Sequence, residues 1–184
     1  MALRPDRLGG ALTLAAALAA CGPRGPTLVA EWRGADAGRV RAPATAQWCA
    51  AARVLVVQGV SNDSGVALAL RPAGDTLEAG RYPLTTDTAA PPRPSAMLAA
   101  RWVHLKKSLL VQVRLDGGDA TLALAGGRAS VVAAGQVPLP GTDSLVRLAV
   151  EARDVPVSAD TAGCPAPPPP PDSVAAPAAD SGVS

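Results

Sequence analysis

From residue 28 onward the apolar positions recur at every second residue rather than at helical spacing. Leu28, Ala30 and Trp32 alternate with Val29, Glu31 and Arg33, which gives a strand one buried and one wet face. Val66, Leu68 and Leu70 alternate in the same way with Ala67, Ala69 and Arg71, and Leu109, Val111, Val113 and Leu115 with Leu110, Gln112 and Arg114. The clearest case is the last, where Val146, Leu148 and Val150 face inward and Arg147, Glu151 and Arg153 face water. Val54 to Val57 is continuously apolar and predicts a central strand running towards Gly59. No stretch carries an amphipathic helix of three turns.

Turn-forming residues punctuate these runs. Ser61-Asn62-Asp63-Ser64-Gly65 predicts a hairpin into Val66, and Asp116-Gly117-Gly118-Asp119 a turn into Leu122 and Leu124. Gly126-Gly127 interrupts again before Ala129 to Ala133. Gly80-Arg81-Tyr82-Pro83-Leu84 reads as a short or edge strand, because Pro83 has no N–H to give to a ladder. After a Pro-rich connection over Ala90 to Pro94, Met97 to His104 reads as a strand, with a helical turn over Ala96 to Ala100 as the competing assignment and Lys106-Lys107 at the bend beyond it. The expected fold is all-β: an antiparallel β-sandwich or small β-barrel of about seven to nine short strands, stapled by one disulfide.

The two ends of the chain differ from this body. Arg4 and Arg7 precede a run from Leu12 to Ala20 that is rich in Ala and Leu and ends at Leu18-Ala19-Ala20-Cys21. A stable transmembrane helix needs about 20 apolar residues, so so short a run reads as a secretory leader. Its small-residue end resembles the lipobox of bacterial lipoproteins. The resemblance implies removal of residues 1–20, lipidation of the Cys21 thiol and a lasting membrane anchor, since several acyl chains hold where a single one holds marginally. Gly22, where Asp would signal inner-membrane retention in didermal bacteria, implies the outer membrane. The chain is thus similar to small extracytoplasmic lipoproteins with a β-rich body. That class fixes no activity, because a fold does not select a function. The expected organisation is a leader over 1–20, a lipidated Cys21 and short tether over 21–26, one β domain over 27–165, and a Pro/Ala-rich tail over 166–184.

Loss of the leader removes Arg4, Arg7 and Asp6 and lowers the formal net charge of the 184-residue chain from +2 to +1. So little charge argues against nucleic acid as a partner, since such binding depends on clustered cations. With Cys21 given to lipid, Cys49 and Cys164 remain; outside the cytoplasm such a pair reads most simply as a disulfide, ahead of two separate thiols or a metal site. There is no Phe, one Tyr and three Trp, so Val, Leu and Ala must build the core, and a staple helps such a core.

Candidate chemistry is sparse, and no cofactor or metal is expected. Asn62, Asp63, Ser64 and Gly65, with Asp75 or Asp87, offer oxygens for calcium but lack the spacing of a calcium loop, so they read as a turn. Two cysteines and the lone His104 are poor material for zinc. His104 with a serine would suit a hydrolase, yet no nucleophile motif accompanies it, and the expectation is that the protein is not an enzyme. Arg101, His104, Lys106 and Lys107 form a candidate surface-binding patch for an anionic headgroup or polysaccharide, set against simple protection of a sheet edge. Trp32, Trp48 and Trp102 could line a groove, but in a chain without Phe they read as core plugs. The reading is therefore a noncatalytic outer-membrane-anchored envelope lipoprotein, a structural or protein- or glycan-binding module. The alternatives are a carrier of a small apolar ligand and, behind it, a hydrolase.

Overall fold

The alternating runs form strands that pair into one continuous sheet. The structure, a computed structural model, describes residues 25–87, 92–104, 109–138, 144–159 and 164. Its strands are β1 (Thr27–Gly34), β2 (Gly38–Cys49), β3 (Val54–Ser61), β4 (Ser64–Arg71), β5 (Gly80–Pro83), β6 (Ser95–His104), β7 (Leu109–Arg114), β8 (Asp119–Ala125), β9 (Arg128–Pro138) and β10 (Leu145–Ser158). They lie in the order β5-β8-β9-β10-β1-β2-β3-β4-β6-β7, with every neighbouring pair antiparallel.

The all-β expectation holds, and two of its details are corrected. There are ten strands rather than seven to nine, and the sheet does not close into a barrel. The strand that sequence reading misses is β2. Its inward positions, Ala42, Ala44 and Ala46, are buried but small, and Pro43 interrupts the run, so the period of two carries little hydrophobic contrast. The competing helical turn over Ala96 to Ala100 is also corrected: these residues are extended within β6, opposite β4 from Leu70 back to Val66. In β8, Leu122 is buried and Leu124 only partly so.

β2 and β10 turn the one sheet into two facing halves. β2 pairs with β1 through Gly38 to Pro43 and with β3 through Ala44 to Cys49, so a single strand belongs first to one half and then to the other. β10 pairs with β1 and β9 as far as Ala152, resumes its pairing with β9 at Val155 after a register shift, and at its end runs parallel to β2, with Val157 opposite Ala46. The shift is a bulge with Asp154 in the left-handed region (φ 49°). The Asp154 N–H donates to Ser130 Oγ (3.0 Å) and the Asp154 carbonyl accepts from Arg128 (2.6 Å), so the irregular backbone is hydrogen-bonded. Inward side chains of both halves join a single core that runs from Leu28 to Val155.

Trp32 of β1 and Trp102 of β6 meet in that core, stacked with ring centroids 4.8 Å apart. The Trp102 indole N–H donates to Asp36 Oδ2 (2.8 Å) in the β1–β2 turn, whereas the buried Trp32 N–H has no hydrogen-bond partner. A Cβ built on Gly38 would lie 2.4 Å from Trp32 Cζ2, so the ring fits only over a glycine. The sequence reading of both tryptophans as core plugs agrees with their burial.

The disulfide joins Cys49, at the end of β2, to Cys164, with Cα atoms 5.6 Å apart across 115 residues. Closing so long a loop contributes on the order of 4 kcal/mol in the chain-entropy picture. Pro83 sits in β5, at one edge of the sheet, where its missing donor costs no ladder bond on the outer side. The expected leader over 1–20, the expected lipidation at Cys21, the Pro/Ala-rich segment over 166–184, Lys106 and Lys107 lie outside the described residues.

Two predictions follow from the core. Gly38→Ala pushes a methyl group into the Trp32 ring and should destabilise the fold by about 1–3 kcal/mol, read by urea denaturation with tryptophan fluorescence. Burial, then the nearby Glu78 carboxylate, raises the pKa of Tyr82 above its ordinary 10.0. Tyr82 is the sole tyrosine, so tyrosinate absorbance reports it alone: it should titrate above 10.0 in the folded chain and fall back in denaturant. Because the folded state holds this proton more tightly, its stabilisation is complete below the unfolded pKa and is lost as pH rises through the folded one. Tyr82→Phe should remove that part of the alkaline loss.

Candidate functional site

Strands β3, β4, β6 and β7 make up one half of the folded sheet, and none of them contains an Asp or Glu. Alternation sends Leu55, Leu68, Leu98 and Val113 into the core and leaves the other set outside. The register aligns that outward set in rows. Val60, Gly65, Arg101 and Gln112 form one row, and Gln58, Ala67, Ala99 and Arg114 the next. Val56, Ala69 and Met97 follow, with Arg71 further along β4.

The middle strands carry Gly65, Ala67, Ala69 and Ala99 where the flanking strands carry longer side chains, so the face is hollowed. Two adjoining hollows of about 150 and 170 Å³ share Ala67 and Ala99 in their lining. Gln58, Arg101 and Gln112 line the first; Val56, Thr85, Met97 and Arg114 line the second. Arg71 stands at the far end, where its guanidinium contacts Met97 Sδ at 3.1 Å. Burial, then the charge of Arg93, lowers the Arg71 pKa from its ordinary value. Among the described residues Arg71, Arg101 and Arg114 form no ion pair. Of the acidic positions near these strands along the chain, Asp63 lies in the turn before β4, Asp75 just beyond Arg71 pairs with Arg53, Asp116 lies beyond the end of β7, and Asp87, whose N–H donates to Thr85 Oγ1, follows the segment that lines the second hollow.

The outer face of the opposite half is built differently. There Glu31 meets Arg33 and Arg39 (3.4 and 3.3 Å), Arg153 meets Glu151, and Arg81 meets Asp119 at 2.5 Å. The Arg81 hydrogen bond holds the Asp119 carboxyl below the ordinary carboxylate range. On that face acids are interleaved with the arginines and pair with some of them, leaving Arg41 and Arg147 without an ion pair among the described residues, whereas on the hollowed face none of the three arginines is paired.

Of the surface patch expected from sequence, Arg101 is exposed at the rim of the first hollow, and His104 ends β6 opposite Leu109. Lys106 and Lys107 are outside the described residues. Sequence reading misses Arg71, Arg114, Gln58 and Gln112 as members of the site. The available signal was their outward phase in strands that lack any carboxylate, but which strands are neighbours depends on the sheet order. The calcium reading gains no support: Asp75 pairs with Arg53 at 2.6 Å, and no group of three or more His, Cys, Asp or Glu positioned for a metal occurs among the described residues.

A second concavity, an open groove of about 420 Å³, lies where Trp48, Leu77, Leu124 and Val157 meet the Gly126-Gly127 turn. Trp48 is therefore only partly a core residue. The groove is apolar and brings few polar groups together, so it offers less to a specific ligand than the arginine-lined trough. Comparison with known protein families, characterised proteins and solved structures gives no match for this chain.

A guanidinium that is partly desolvated and lacks a carboxylate adds little to folding. Arg71→Met should therefore leave the unfolding free energy within about 1 kcal/mol of the parent or raise it, as measured by urea denaturation. A larger loss would mark Arg71 as a structural residue.

Proposed function

We propose that the protein is a noncatalytic lipoprotein of the bacterial envelope, held at the outer membrane through Cys21, whose folded sheet is a binding module. The observation that carries the binding role is the hollowed outer face of β3, β4, β6 and β7, where arginines and glutamines converge on a floor of small residues with no carboxylate to answer them. Cations kept unpaired over a concave surface suit an external anionic partner. The anchor rests on Leu18-Ala19-Ala20-Cys21 behind the Arg4/Arg7 start, and the partners in this reading are the membrane, through lipid, and an envelope glycan or protein.

Two observations favour surface binding over the alternatives. The stacked Trp32 and Trp102 occupy the space between the halves where a carrier would hold an apolar ligand. Ser95, the serine on the same strand as His104, is sealed in the core with no partner for its hydroxyl, which takes it out of the hydrolase reading.

Replacing Cys21 by Ala and fractionating cells that express the full chain tests the anchor. The parent should sediment with membranes and carry a covalent mass increment of acyl chains, while the variant should lose both. A parent that stays soluble with an unmodified Cys21 would overturn the lipoprotein reading.

A further inference from the structure

We propose that the hollowed face binds a linear acidic polysaccharide, one with carboxylate groups on successive sugars, along a track running from Arg101 past Arg114 to Arg71. The inference rests on the reading of the protein as a binding module and adds the class of ligand. Gly65 and Arg71 bracket the track on β4, and six residues of strand span about 20 Å. That length exceeds a single small anion and fits a chain of several sugar rings. Arg101 and Gln112 stand at one end, Gln58 and Arg114 in the middle, and Arg71 beside Met97 at the other. Guanidinium forks suit carboxylates, and the two amides suit the hydroxyls between them. The floor of Gly65, Ala67, Ala69 and Ala99 lets a flat ring settle near the sheet.

The floor of the face, over β4 and β6, favours a ligand read by side chains, with the open backbone edge lying to one side at β7. A peptide in extended form is recognised mainly through its backbone, at a sheet edge. Here the backbone N–H and C=O groups of β4 and β6 are committed to ladders on both sides, so only side chains are left to read a ligand. An anionic bilayer is a broad surface best met by a convex or protruding one. Arg101, Gln112 and Arg114 are exposed along the hollows, whereas Arg71 is half-buried beside Met97, where a flat surface reaches it poorly.

The test uses the full chain after the leader with Cys21→Ser, so that no lipid contributes and the result is independent of anchoring. Calorimetric titration with hexagalacturonate should show binding that weakens with salt and disappears with the fully methyl-esterified oligosaccharide. The triple variant R71A/R101A/R114A should lose about a hundredfold in affinity, roughly fivefold per arginine. The charge-matched control R33A/R41A/R147A, on the opposite outer face, should lose less than about threefold. A second variant, Gln58→Leu with Gln112→Leu, keeps every charge and should still weaken hexagalacturonate binding.

Hexaglutamate and vesicles containing phosphatidylglycerol serve as the competing probes. Absence of hexagalacturonate binding at millimolar concentration would overturn the ligand class. Equal or tighter binding to hexaglutamate or vesicles would overturn it in favour of an acidic protein or a membrane surface. Equal losses in the two triple variants would reduce the effect to net charge. None of these outcomes bears on Cys21, so the ligand and the anchor fail separately.

Discussion

The contact of Trp32 with Trp102 decides the shape of this protein. Each ring belongs to a different half of one sheet, so their stacking at 4.8 Å requires the sheet to fold over on itself. In a core without Phe, these are the largest apolar surfaces available, and an offset aromatic pair contributes about 0.5–1.5 kcal/mol beyond its buried area. Three residues of the β1–β2 turn region maintain the arrangement: Trp32 itself, Asp36 as acceptor for the Trp102 N–H, and Gly38, whose missing Cβ makes room for the Trp32 ring. The turn therefore ties its own half to the other through side chains, while the chain itself crosses between halves further along, within β2.

Small residues do elsewhere what Gly38 does there. Ala42, Ala44 and Ala46 line the inner face of β2 as it passes from one half to the other. A strand at a sharp bend has neighbours on several sides, and alanines let those neighbours approach without overpacking. The same geometry asks for a compensating irregularity in β10, which supplies it with the bulge at Asp154 and then lies parallel beside β2. Cys49 ends β2 at this junction, so the disulfide ties the later chain to the strand shared by both halves.

These features explain what could be read in the sequence. Strands such as β4, β7 and β10 were legible because Val and Leu alternate with Arg, Gln or Ala, and β5 was legible as an edge because of Pro83. β2 was not, because the bend demands alanine inside and tolerates Pro43, which erases the contrast that marks a strand. The Cys49–Cys164 pairing was legible once the lipobox resemblance set Cys21 apart from the other two cysteines. The candidate site was legible only at Arg101. Arg114 and Gln112 had the right outward phase, but β7 lies next to β6, which lies next to β4, and that neighbourhood is a property of long-range pairing rather than of local pattern.

Charge is divided between the two outer faces in a way that stability alone does not require. The face of β1, β2, β9 and β10 interleaves acids with bases, as a solvated surface commonly does, with Glu31 meeting two arginines. Exposed pairs of that kind contribute little energy, about 0–1 kcal/mol each, and they occupy only some of the arginines on that face. The face of β3, β4, β6 and β7 spends its polar positions on arginine and glutamine alone and sets them around small residues. Arg71 shows the consequence most clearly, since it is partly desolvated beside a thioether and near another guanidinium, a placement that folding by itself does not favour. A protein tolerates such local cost where an outside partner supplies the missing charge, and the hollow over Ala67 and Ala99 is where that partner would lie.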